Sequence, residues 1–102
     1  MNEDPLIPGL QDYMTNLLPE RDPIFKEMEV YAEKIGFPIV GPLVGQYLMQ
    51  YARLVQPKRI IELGSGFGYS ALWFAKAVSS ETEIFMTDYN PDNKKRALSY
   101  LE

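Results

Sequence analysis

The chain has 102 residues, a net charge of −4, no cysteine and no histidine. That length holds one domain or part of one, and it buries only about 60–65% of its unfolded surface, leaving thin stability margins. Disulfides, thiolate metal sites and a cysteine nucleophile are excluded, the commonest general base is missing, and the acidic balance argues against a nucleic-acid surface.

From the N-terminus, Leu10, Tyr13, Met14, Leu17 and Leu18 recur at helical spacing, which predicts a helix from Pro8 to Leu18, stopped by Pro19. Asp22 and Pro23 then read as an N-cap and first helical position. Ile24, Met28, Tyr31 and Ile35 mark one face of a second helix, and Gly36 is its natural stop. Leu17, Met28 and Tyr31 suit a helix core, and equally a face covered by a partner subunit. Phe37 to Pro42 is an extended connector. A third helix follows with Leu43, Tyr47, Leu48, Tyr51 and Val55 as its expected inner face, ended by Gln56-Pro57.

Lys58 to Leu63 reads as a strand whose near-continuous apolar run suits burial on both faces. The glycine-rich turn Gly64-Ser65-Gly66-Phe67-Gly68 leads into a helix from Tyr69 to Val78. A polar loop then leads to a second strand, Ile84 to Asp88. Asn90-Pro91 caps a last helix through Ala97, Leu98 and Leu101. The order strand, helix, strand, helix gives an α/β unit with two parallel strands. The expected division is one domain, with a helical region at 1–57 and a β-α-β-α region at 58–102. The basic triplet Lys94-Lys95-Arg96 reads as a solvated helix face. No apolar run approaches the roughly 20 residues that cross a bilayer, and no apolar signal core follows the acidic Met1-Asn2-Glu3-Asp4 start. A cytoplasmic protein that meets neither membrane nor nucleic acid is expected.

The chemistry lies at the glycine turn. A strand delivers it, glycine permits close approach of a ligand, and the next helix offers N–H groups at its start. Gly64, Gly66 and Gly68 form GxGxG, whereas a hydride-transfer dinucleotide site prefers GxGxxG, with glycine where Tyr69 stands. Glu62 just before the turn repels a pyrophosphate and suits a ligand carrying an ammonium. Asp88, at the same end of the neighbouring strand, suits the two hydroxyls of a ribose. S-Adenosylmethionine has all the matching parts: a ribose, an ammonium, a sulfonium and no phosphate. The plainer reading makes Glu62 a carboxylate satisfied by local N–H groups and Asp88 a helix cap.

Ile60 to Ser70, with Ala71-Leu72 after it, resembles the first motif of the S-adenosylmethionine-dependent O-methyltransferases related to catechol and caffeoyl-CoA O-methyltransferases. Those proteins carry Leu-Glu-(Ile/Leu)-Gly followed by Gly-Tyr-Ser, and Val40-Gly41 and Gly45-Gln46 also match their pattern. The resemblance covers residues 38 to 102 and implies the N-terminal half of a Rossmann-like class I methyltransferase fold. It implies that Glu62 and the Gly64-Ser65 backbone line the methionine portion of the cofactor, with Gly66 and Gly68 shaping the turn. Ser70 would bind the cofactor carboxylate, although it also reads as a residue capping its own helical turn. Asp88 would take the ribose hydroxyls, Tyr89 would pack on adenine, and Val40 would lie near the methionine end, or simply pack in the connector. The implied reaction methylates a hydroxyl of a small aromatic, catechol-like acceptor.

Family members commonly bind a Mg²⁺-type cation, through residues that follow the second strand, and the resemblance implies a homodimer for the full-length protein. No metal ligand or catalytic base is assigned within these residues, and neither Asp92 nor Glu83 is nominated as a substitute. Family members are about twice this length, so the chain is expected to hold the cofactor-binding half, to be marginally stable and to be inactive alone. The alternatives are an NAD-type dinucleotide fragment, a non-catalytic binding or dimerisation module, and a methyltransferase of RNA or protein.

Overall fold

The computed structural model describes residues 7–101, which fall into two compact units divided between Val44 and Gly45. The acidic start Met1 to Asp4, the two residues after it, and Glu102 lie outside the described residues. The elements in order are α1 (Leu10–Asn16), α2 (Pro23–Ile35), α3 (Gly41–Val55), β1 (Arg59–Glu62), α4 (Tyr69–Ala77), β2 (Glu83–Met86) and α5 (Pro91–Leu101). The order matches the sequence reading throughout.

In the first unit, α1 is shorter at both ends than the expected span from Pro8 to Leu18. Gly9 precedes it in the left-handed region (φ 80°), and the Leu17 and Leu18 N–H groups close tighter turns onto the Met14 and Thr15 carbonyls. The α2 boundaries are chemical. Asp22 Oδ1 accepts from the Ile24 N–H at 3.0 Å, and Pro23 takes the first helical position. At the other end Gly36 adopts φ 67°, its N–H bonds the Glu33 carbonyl, and the Phe37 N–H reaches back to Ala32. The buried stripe of α2 is Phe25, Met28 and Ala32, so the expected face through Ile24 and Ile35 is one position out of phase. Met28 is fully buried within the chain and is no part of an outer face.

The third helix departs further. Tyr47, Tyr51 and Val55, expected to face inward, are exposed, whereas Gly45 and Ala52 are buried. The reason is close packing in the second unit. A Cβ at Gly45 would sit inside the Trp73 indole of α4, so only glycine lets the two helices meet there.

The two strands pair in parallel with Arg59 opposite Glu83 and Glu62 opposite Met86. Both alternate exposed and half-buried positions. Ile60, Glu62, Ile84 and Met86 form the half-buried set. Ile61 is 68% exposed and Leu63, just past the strand, 82%. The expectation of a strand buried on both faces is therefore corrected: within this unit one sheet face is covered and the other is open. The core of the unit is built instead from Phe67, Tyr69, Ala71, Leu72, Trp73 and Ala97, with Tyr69 edge-on to Trp73 at 6.4 Å. The helix α4 stops at Ala77, one residue early, because Val78 is extended.

The cost of substituting a glycine differs by geometry from one position to the next. A Cβ at Gly68 (φ 94°) would meet the Ala97 Cβ at 3.2 Å, while one at Gly36 (φ 67°) would meet nothing within 4 Å. Urea unfolding is expected to rank the alanine variants accordingly: about 1 kcal/mol lost for Gly36→Ala from left-handed strain alone, 2–3 kcal/mol for Gly68→Ala from strain plus overpacking, and more still for Gly45→Ala.

Candidate functional site

The C-terminal ends of β1 and β2 open at one edge of the parallel pair, the place where α/β sheets bind ligands. The register sets the arrangement. Glu62 ends β1 opposite Met86, so the glycine turn on one side and Thr87-Asp88-Tyr89 on the other leave the sheet together.

Glu62 is half-buried, and its Oε1 is buried with no hydrogen-bond partner among the described residues. Burial raises the carboxyl above its ordinary value, while the hydroxyls of Ser65 and Ser70 hydrogen-bond it and pull the other way. The reading of Glu62 as a carboxylate satisfied by local backbone groups thus fails for one oxygen. Ser70 sits in the first turn of α4 with its hydroxyl directed to Glu62, a contact the sequence did not suggest. Gly68 precedes this helix in the left-handed region, and no side chain caps it.

The three turn glycines divide their roles. Gly64 (φ 74°) faces open space, since a Cβ there would meet nothing within 4 Å. Gly66 (φ 54°) is buried in the turn, and Gly68 makes room for α5. Ser65 is buried; its N–H bonds the Thr87 carbonyl at 2.6 Å and its Oγ accepts the Thr87 N–H at 3.1 Å. The Gly64 N–H is likewise taken, by Thr87 Oγ1 at 3.0 Å. From the sequence Thr87 reads only as a residue of the second strand. Its one sequence signal was a hydroxyl side chain immediately before the strand-end acid.

Asp88 is exposed. Its Oδ2 accepts from the Asn90 N–H (3.2 Å) and from Asn93 Nδ2 (2.8 Å), while Asn90 Oδ1 caps α5 through the Asp92 N–H at 2.9 Å. Asp88 is therefore held in place by one oxygen. Tyr89 is 97% exposed, a bare ring beside that carboxylate. Val40 belongs to the first unit, exposed on the stretch before α3. The second unit by itself brings Glu62, Gly64, Ser65, Gly66, Gly68, Ser70, Asp88 and Tyr89 to one end of the sheet. Among the described residues no three His, Cys, Asp or Glu side chains cluster as metal ligands would.

A buried orphan carboxylate oxygen on the residue before the glycine turn, with a second carboxylate just past the neighbouring strand end, fits a cationic ligand that also carries a sugar. Comparison with known proteins agrees with the fold. The sequence profile of the O-methyltransferase family matches residues 20–102. A catechol O-methyltransferase from Niastella koreensis is 31% identical over 85 residues, covering 81% of this chain and 38% of that protein. A methyltransferase from Geobacter sulfurreducens superposes with a TM-score of 0.86 at 35% identity, over 95% of this chain and 52% of its own. An O-methyltransferase of tomaymycin synthesis from Streptomyces achromogenes, solved in complex with SAM, superposes with a TM-score of 0.83 at 26% identity, over 99% of this chain and 46% of its own. The chain thus spans about half the length of these solved relatives and less of the curated one. With its fold, its glycine turn and most of its length matched, the chain belongs to the O-methyltransferase family.

Proposed function

We propose that the chain binds S-adenosylmethionine at the glycine turn and forms the donor half of a methyltransferase acting on a hydroxyl of a small, catechol-like aromatic. The observation that carries this reading is Glu62 Oε1, a buried acceptor with no partner among the described residues, on the residue that ends β1 just before the glycine turn. An ammonium placed there supplies the missing partner and the counter-charge at once. The free oxygen of Asp88 offers two lone pairs to ribose hydroxyls, and the exposed Tyr89 ring offers adenine a stacking face. The Niastella relative's name supports the catechol-like acceptor.

Methyl transfer from a sulfonium to an oxygen is a direct displacement in which charge is neutralised. Alignment of donor and acceptor therefore dominates, together with generation of the oxyanion. The residues described here hold and orient the donor. A Mg²⁺-type cation, where the family uses one, would need ligands other than these, and so would the base. The dinucleotide alternative is disfavoured by the same carboxylate. We also infer a cytoplasmic location, where this cofactor is available, and a homodimer; the exposed Tyr13 and Leu17 of α1 supply apolar surface for a second copy. No helix among the described residues is long and apolar enough to cross a membrane.

Isothermal titration is expected to show S-adenosylmethionine and S-adenosylhomocysteine binding with NAD silent; the reverse order would sink the cofactor assignment. Catechol turnover by the 102-residue chain alone is expected to be absent, and detectable turnover would show that the donor half suffices.

The pH dependence follows from Glu62. Its folded value lies above the unfolded value of 4.5, so in the ligand-free chain its contribution to stability is fully present below 4.5 and is lost as pH rises through the folded value. A bound ammonium favours the ionised form, so cofactor affinity should climb with pH across the same window. Glu62→Gln is therefore expected to raise the melting temperature of the ligand-free chain at pH 7 while weakening S-adenosylhomocysteine about tenfold to a hundredfold, the range of a charged hydrogen bond. Unchanged affinity in that variant would remove Glu62 from the site.

A further inference from the structure

Thr87, the residue after β2, ties that strand end to the glycine turn with both backbone and side chain. Its N–H lies 3.2 Å from the Glu62 carbonyl and 3.1 Å from Ser65 Oγ, and its own carbonyl accepts the Ser65 N–H. Any residue could make those backbone bonds. The hydroxyl adds two that only serine or threonine could make: Oγ1 donates to the Glu62 carbonyl at 2.9 Å and accepts the Gly64 N–H at 3.0 Å. The stoichiometry is complete, one proton given and one lone pair filled, and the bridge spans the two residues between which the chain turns away from the sheet.

The bridge has two consequences. The Gly64 N–H is directed at Thr87 and is therefore committed within the protein, while the Cβ side of Gly64 is open. The backbone of Glu62 is also pinned from the neighbouring strand at the residue whose carboxylate carries the unpartnered oxygen. A glycine with left-handed φ has no side chain of its own to fix it, so a bond from outside the turn is what holds it.

We propose that Thr87 is a positioning residue for the amino-acid end of the cofactor, its hydroxyl setting the Gly64 backbone and Glu62 at a fixed spacing. The proposal rests on the S-adenosylmethionine reading. It assigns neighbouring residues to different halves of one ligand: Thr87 acts through the turn on the amino-acid end, and Asp88 meets the ribose.

Two measurements on the full chain test it. Amide hydrogen exchange reads the bridge without ligand: Thr87→Val should speed exchange at Gly64 about tenfold or more as the hydrogen bond is lost, and Thr87→Ser should keep the wild-type rate. Equal rates in all three chains would overturn the bridge. Titration reads its consequence: Thr87→Val should weaken S-adenosylhomocysteine about tenfold while leaving 5′-methylthioadenosine, which lacks the amino-acid end, unchanged, with Thr87→Ser again near wild type. A merely structural role would lower the melting temperature and leave the ratio of the two affinities alone, and that result would overturn the assignment. Should Thr87→Val fail to fold, Thr87→Ala gives the same ratio test. A wild-type chain that bound neither ligand would instead overturn the cofactor reading itself.

Discussion

The parallel pairing of β1 with β2 is the constraint on which the site depends. With Glu62 opposite Met86, the strand ends release the glycine turn and the Thr87-Asp88-Tyr89 segment side by side. A slip of one residue would exchange the half-buried set for the exposed one, turning Ile61 to the place of Glu62. The carboxylate would then leave the interior and lose the burial that raises its proton affinity. Register and electrostatics are one fact here, and the Thr87 bonds to Glu62, Gly64 and Ser65 fasten that register where the ladder ends.

The glycine turn does two jobs that its sequence pattern does not distinguish. Gly64 faces open space, while Gly68 lets α5 approach closely enough for Ala97 to be buried. Tyr69, in the place where a dinucleotide fold would put glycine, is buried edge-on to Trp73. The same indole packs against α3, where Gly45 leaves room for it. The proposed cofactor contacts and the helix packing share one short stretch, so a substitution within it can act on binding, on stability or on both.

What was legible in the sequence was local. Asp22 before Pro23, Gly36 after α2 and Asn90 before Pro91 each satisfy backbone groups within a few residues of themselves, and each stands where the sequence placed it. The order of elements was legible for the same reason, and the parallel pair followed from that order, because a strand-helix-strand crossover returns the second strand parallel to the first. The phase of α2 and α3 was not. Apolar residues surround α3 on more than one side, so periodicity admits two stripes, and the buried one is marked by small residues that allow close approach rather than by large ones. The open sheet face was missed because an apolar strand reads as doubly buried whether or not both faces are covered. Thr87 was missed because its bonds reach back across more than twenty residues of sequence, and no local pattern announces them.

The two carboxylates of the site illustrate how identical chemistry takes different roles from its surroundings. Asp88 is exposed and already held by Asn90 and Asn93 through one oxygen, so it contributes a fixed direction and little that is electrostatically urgent. Glu62 is half-buried with an unmet oxygen, so its environment is unfavourable until a cation arrives. The first can recognise a shape, a pair of adjacent hydroxyls, at small energetic consequence either way. The second can recognise a charge, because only a positive group removes the cost of burying it. A phosphate-bearing ligand satisfies the first and aggravates the second. A sulfonium amino acid joined to a nucleoside, the ligand proposed above, would satisfy both.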